Sequence, residues 1–359
     1  MPKKYAPELK QDQTHADSHQ HPAWFGSVMG TGAVAVVLAG QGTQWDSSIA
    51  NAAGVAFLLL ATAFALILMP RYALRMVDRS RFATELAHPA QGPMLATLPA
   101  GLLVLAIAWG RVGPLLLPNS TALWIDASLL TIGAVLALAL GLLWSASIFQ
   151  SNSGMEGING GWLIPPVMNL LVPLGLAPLI VANPEHASLL LLIGFAFFGV
   201  GVLLFISIFT LFIARLVMHE AFPAAMAPSL WIPLAPAGIS GLALMRLLES
   251  AQASNVPGFP NVNTGVAVAA MMFGFGLWWA AFACLELRRL RKTSSIPVHP
   301  GWWGFVFPAA AMTLSIGAMG LITDIYSVQL LALAATVLTV LLWLFVAART
   351  LRMMFRKLA

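Results

Sequence analysis

Over 359 residues the chain is 59% hydrophobic and only 9% charged, with a mean hydropathy of +0.86, a composition that a water-soluble globular domain cannot hide from solvent. Its 18 Lys and Arg against 13 Asp and Glu give a formal net charge of +5, which in so apolar a chain fits anionic headgroups rather than nucleic acid. The single cysteine, Cys284, excludes an internal disulfide, and its place in an apolar helix predicts a packing role.

Residues 1–20 are polar and lack the apolar core of a signal peptide, so a short disordered cytosolic tail without cleavage is expected. His15, His19 and His21 lie on or at the end of this tail without a Cys partner and read as solvated side chains, and neither a metal nor a cofactor is expected. From there to residue 355 the chain reads as one transmembrane domain. Stretches of about 20 apolar residues suffice to span a bilayer. Ten can be drawn, at 22–41, 49–69, 90–110, 122–148, 161–182, 187–214, 226–248, 264–287, 302–323 and 328–348. Strand-like alternation is absent, which predicts an all-α membrane protein.

The odd segments open alike. HPGWWGFVFPAAAM from His299 is echoed by HPAWFGSVMG from His21, HPAQGPML from His88, GWLIPPVMN from Gly161 and APSLWIPLAPAG from Ala227. A recurrence at roughly 65 to 75 residues signals a repeated architecture. Thirteen of the 23 prolines lie in the odd segments or at their starts and none lies inside an even segment. Proline in a membrane helix needs neighbouring groups or water to satisfy the carbonyl it frees. The odd helices are therefore expected to be inner and the even ones to face lipid. Five parallel hairpins around one axis would enclose a channel.

Laying His21-Pro22 on His299-Pro300 places Gly26 on Gly304, Met29 on Phe307 and Gly30 on Pro308. Carried to the other repeats, the Phe307 level gathers Met29, Ala96, Val167 and Ala235 as pore-lining candidates; the next gathers Gly30, Thr97, Met168, Pro236 and Pro308. One aromatic ring among small apolar side chains is a gate candidate, or else an ordinary core residue of a solid bundle. Gly30, Pro236, Gly304 and Pro308 mark expected kinks, with Pro308 depriving the Gly304 carbonyl of its helical partner. Thr31, Thr97, Asn169, Ser240 and Thr313 follow toward the outside as neutral donors, suited either to a weakly held anion or to ordinary helix–helix hydrogen bonds. Arg246, near the external end of the seventh segment, could concentrate anions there or pair with Glu249 at i+3.

WFGSVMGTG, PSLWIPLAPAG and WWGFVFPAA resemble the tellurite-resistance and dicarboxylate transporter family, which includes fungal malate permeases, sulfite efflux pumps and the slow-type anion channels of plants. The likeness covers about 21–350 and is most specific in the first and ninth segments, VMGTG being closer to the malate and sulfite branch. It implies ten helices as five hairpins about a pore in each protomer, a homotrimer, and a pore-occluding Phe on the ninth helix, here Phe307. The long regulatory tails of the plant members have no counterpart, which points to a microbial transporter or channel. The expected substrates are small anions, malate or related C4-dicarboxylates first, sulfite or tellurite second, chloride or nitrate third. A monoanion is expected to pass more easily than a dianion, whose desolvation the neutral inner surface would hardly offset.

Catalysis fits poorly. His219-Glu220 continues as AFPAA, without the second His of a zinc-protease helix, and the inner segments offer hydroxyls with no mid-span base. A receptor or structural protein without flux is the reading from another class, and an anion flux assay separates the two.

Of the 18 basic residues, 16 fall on one side of the ten-span arrangement, Arg111 and Arg246 being the exceptions. The Lys/Arg excess marks cytoplasmic loops, which predicts cytosolic termini and placement in the inner or plasma membrane. A cysteine introduced near Trp45 should react with an impermeant thiol reagent applied outside, and one near Ser294 should not; the reverse pattern would invert the topology.

Overall fold

A computed structural model describes residues 21–151, 154–293 and 295–356; the 1–20 tail with His15 and His19, and Ser294, lie outside the described residues. Eleven α-helices follow in order: α1 (Gly26–Gln44), α2 (Ser48–Val77), α3 (Arg79–Ala87), α4 (Thr97–Val112), α5 (Asn119–Gln150), α6 (Ile164–Ala182), α7 (Ala187–Met218), α8 (Leu234–Ala253), α9 (Val262–Thr293), α10 (Val306–Thr323) and α11 (Tyr326–Arg356). All but α3 belong to segments long and apolar enough to cross a membrane, and there is no strand among the described residues.

Burial divides the ten as the prolines suggest. The inner spans, built on α1, α4, α6, α8 and α10, are 61% to 94% buried, whereas the outer ones, on α2, α5, α7, α9 and α11, are 22% to 28% buried. Each outer helix packs on the inner helix before it, each inner helix packs on the next, and α10 packs back on α1 to close a ring of five. The outer helices run 30 to 32 residues, about 45 Å at 1.5 Å per residue, and so project beyond a ~30 Å hydrocarbon layer.

The shared openings are capped 3-10 turns. Pro22–Phe25, Gly92–Ala96, Gly160–Leu163, Ala224–Trp231 and Pro300–Phe305 precede the five inner α-helices. A helix start leaves backbone N–H groups unpaired, and here side chains accept from them. His21 Nδ1 takes the Ala23 N–H at 3.1 Å, His88 Nδ1 those of Ala90 and Gln91, and His299 Nδ1 that of Gly301 at 3.1 Å. Asn159 Oδ1 does the same for Gly161 in the third repeat. Because Nδ1 accepts, Nε2 of His299 carries the proton and donates to the Ala225 carbonyl at 2.8 Å, tying the fifth repeat to the fourth. Asn159 and Trp162 likewise donate to the Pro89 carbonyl, and Thr97 to that of Pro22. These bonds span 70 to 75 residues, one repeat length.

Four sequence expectations change. Pro70 lies inside the outer helix α2, which continues to Val77, so proline is not confined to inner helices. Pro236 and Pro308 are the third residues of α8 and α10, as Pro99 and Pro166 are of α4 and α6. There each proline stands just past a 3-10 turn, in the first turn of the α-helix, where its fixed φ suits the backbone. At Val306 the winding changes from 3-10 to α: Gly304 sits within the 3-10 turn, and α1 runs unbroken through Gly30. Cys284 is exposed on α9 rather than packed. The amphipathic α3 was missed; it is capped by Asp78, whose carboxylate accepts the Arg81 N–H, and held by Arg75 and Arg81 on Glu85.

Glycine sets the closeness of the ring. A Cβ on Gly238 would lie 2.6 Å from the Ala311 carbonyl carbon, backbone that cannot step aside, whereas one on Gly304 would meet nothing nearer than Ile232 at 3.7 Å. Gly238→Ala should therefore force α8 off α10 and destabilise the fold by about 1–3 kcal/mol. Gly304→Ala should behave as wild type in a thermal size-exclusion assay; equal melting of the two variants would contradict this packing.

Candidate functional site

Within the ring lies a cavity of about 510 Å³. Its walls are the C-terminal halves of the inner helices, from Gly40 and Gln44 on α1, Gly110 and Arg111 on α4, Ala182 on α6, Ala253 on α8 and Leu321 beside Gly317 on α10. Its deepest residue on α10 is Phe307, fourteen positions before Leu321, or about 21 Å along the helix. The cavity is thus a vestibule running from the ends of the inner helices down to the phenylalanine.

The floor relates simply to the repeat superposition. Ala33, Leu171, Ile239 and Ala311 line it, each four residues beyond Met29, Val167, Ala235 and Phe307, which is one helical turn. On α4 the lining residue is Val104, eight beyond Ala96, so Ala100 stands where the other helices carry Met29, Val167, Ala235 and Phe307. All the residues of that level are buried, and of them Phe307 alone lines the vestibule. Phe307 is 6% exposed and belongs to the main apolar core as well.

The five neutral donors are not gathered. Thr31 Oγ1 accepts from the Trp343 indole at 3.0 Å, and Thr97 Oγ1 bonds the Pro22 carbonyl at 2.9 Å beside Tyr72, whose hydroxyl donates to the same carbonyl. Asn169 Nδ2 donates to Pro165, leaving its buried Oδ1 without a partner, and Ser240 reaches the Ala237 carbonyl only at 3.5 Å. Thr313 alone lines the vestibule, while its hydroxyl also bonds Ala309 and Thr339 on α11. The helix–helix role open in the sequence is occupied at Thr31, Thr97 and Thr313.

The Glu249 pairing open in the sequence forms: Arg246 Nη1 lies 2.6 Å from Glu249 Oε2, and both residues line the vestibule. Facing them is Arg111, in the last turn of α4, noted in the sequence only as a basic residue away from the cytosolic side. The signal for it was that exception, since the only two basic residues off the majority side are the two that share the cavity. Asp126 on the outer helix α5 was passed over. Its side chain is wholly buried against Gly110, whose absent Cβ would sit 2.4 Å from Oδ2, and neither carboxylate oxygen has a hydrogen-bond partner. No cluster of His, Cys, Asp and Glu able to hold a metal occurs among the described residues.

The SLAC1 family, described as voltage-dependent anion channels, matches residues 19–351. An uncharacterized transporter of Methanocaldococcus jannaschii is 28% identical over 301 residues, 82% of each chain. A sulfite efflux pump of Trichophyton rubrum is 27% identical over 95% of this chain and 92% of its own. A Schizosaccharomyces pombe protein named for malic acid transport is 21% identical over 93% of this chain and 79% of its own. All three names describe transport.

Because Thr31 and Thr97 serve buried partners, Thr31→Val and Thr97→Val should each cost about 1–3 kcal/mol by stranding a donor or acceptor, with flux per folded protein unchanged. Thermal melting and flux on the same preparations check this, and a flux change without a stability change would contradict it.

Proposed function

Since the chain belongs to the SLAC1 family of anion channels, we propose that it passes small anions through the ring of inner helices, with Phe307 as the gate. It does so as a single transmembrane domain over 21–355, in the inner or plasma membrane, with both termini cytosolic and three protomers assembled as a homotrimer. The observation that carries the reading is the vestibule that ends on the Phe307 ring with two guanidiniums on its wall. An apolar constriction stops ions by dewetting even where its width would admit them. The residues around the ring are Met29, Val167, Ala235 and, on α4, Ala100, with Ala96 one turn before it, all too small or too flexible to close a passage without it. Gly304 leaves room beside the ring on the cytosolic side, a Cβ there meeting only ordinary contacts.

The substrate is a small monoanion. Below the arginines the lining is apolar, with Thr313 as a neutral donor, and a dianion would lose its hydration with little to replace it. Hydrogensulfite and hydrogen malate meet that description, as does nitrate without a titratable proton. Names of the relatives support sulfite and malate, the sulfite pumps at the higher identity and coverage. No acidic residue lies mid-span on an inner helix, so pH dependence arises from protonation of the substrate. Uptake of malate or sulfite should rise as external pH falls toward the substrate's own last ionisation, while nitrate flux stays level.

Phe307→Ala should raise anion flux in liposomes severalfold while the protein still assembles, and Phe307→Leu should lie between. If Phe307 were only packing, the alanine variant would lose folded protein, since such truncations cost roughly 3–5 kcal/mol in soluble hosts. A well-folded Phe307→Ala protein with wild-type flux would sink the gate.

A further inference from the structure

Three charged side chains share the vestibule wall: Arg111 from the last turn of α4, and Arg246 and Glu249 one turn apart on α8. They are unequal partners. Arg246 is held by Glu249 at 2.6 Å, whereas Arg111 makes no hydrogen bond or ion pair among the described residues; the charges acting on it are those same two groups. Two guanidiniums against one carboxylate leave one net positive charge at the mouth of an otherwise neutral passage. No other Lys, Arg, Asp or Glu lines the cavity.

We infer that these three residues form a valence filter, a specificity site for singly charged anions. The inference rests on the anion-transport reading. Arg111 supplies the uncompensated charge that an arriving anion meets. A charge lining a cleft with low-dielectric walls raises the local concentration of its counterion, by about 10-fold or more. Glu249 does the opposite: it neutralises Arg246 and repels a second negative charge. A monoanion finds one charge to match its own; a dianion finds one charge and a carboxylate. An unpaired arginine at a helix C-terminus would by itself be explained by the helix dipole. Its placement opposite an arginine already compensated, inside the vestibule of the ring, is what assigns it to selectivity.

The filter is tested by net charge rather than by any single side chain. Flux of nitrate and of sulfate, fixed in valence across the working pH range, is measured in liposomes for wild type, Arg111→Gln, Glu249→Gln and the double variant Arg246→Gln/Glu249→Gln, each also with Phe307→Ala to keep the path open. Glu249→Gln doubles the positive charge and should raise the sulfate-to-nitrate ratio by about 10-fold at low ionic strength, the gain shrinking in high salt. The double variant restores one net charge and should return the ratio to that of wild type. Arg111→Gln leaves none and should lower the flux of both ions severalfold. A ratio unchanged by Glu249→Gln, or a double variant that stays at the Glu249→Gln value, would overturn the filter while leaving anion transport standing. Absence of nitrate flux in wild type and Phe307→Ala alike would remove the transport reading and the filter with it.

Discussion

Inside a bilayer no water completes an unpaired backbone group, and the ring of inner helices depends on how its five helix starts meet that constraint. Each start is a 3-10 turn whose free N–H groups are taken by an imidazole nitrogen or an amide oxygen in four repeats, from His21, His88, Asn159 and His299. Pro99, Pro166, Pro236 and Pro308 follow in the first α-turn, where the fixed φ of proline suits the backbone. Because the turn winds more tightly than the helix beyond it, the residues at the junction are displaced from the course an unbroken α-helix would give them. Phe307 stands at such a junction. The same openings reach across to the neighbouring repeat, as when His299 donates to Ala225 and Thr97 to Pro22, so that capping one helix also fixes the next.

Close approach completes the ring. Gly238 sits against the Ala311 backbone and Gly30 against Val306 and Trp303, holding α10 to its two neighbours near the floor. Toward the other end Arg111, Arg246 and Glu249 line the vestibule. Close backbone packing thus lies at the Phe307 end of the vestibule, and its three charged side chains lie at the other.

Much of this was legible in the chain. The ten spans, their pairing and the inner-to-outer order follow from hydropathy and proline placement because lipid punishes polarity uniformly, whatever the tertiary contacts. The superposed openings select positions one turn before four of the five floor residues, although of those positions only Phe307 itself lines the vestibule. What escaped depends on local geometry. The α4 register slipped because HPAQGPML has no helical landmark before Pro99, and Pro70 was left outside α2 because helix ends beyond the hydrocarbon carry no hydropathy signal. The hydroxyls looked like a donor row, but an hydroxyl's partner lies across a helix interface, and Trp343 is more than 300 residues from Thr31. Arg111 stands out in the sequence only by its side of the membrane, and what it and Asp126 face is set by neighbours on other helices.

The account stands or falls on whether Phe307 separates two water-accessible spaces. Gly317 lines the vestibule and Gly304 lies beyond the ring, and a Cβ at either meets nothing within 3.6 Å. With Cys284→Ser as background, a cysteine would replace each in turn, and its rate of modification by a small impermeant reagent applied to the vestibule side would be measured. The cysteine at 317 should react with Phe307 present, and the one at 304 only after Phe307→Ala. Equal reactivity at 304 with the ring in place, or protection that persists once it is removed, would contradict a barrier at Phe307.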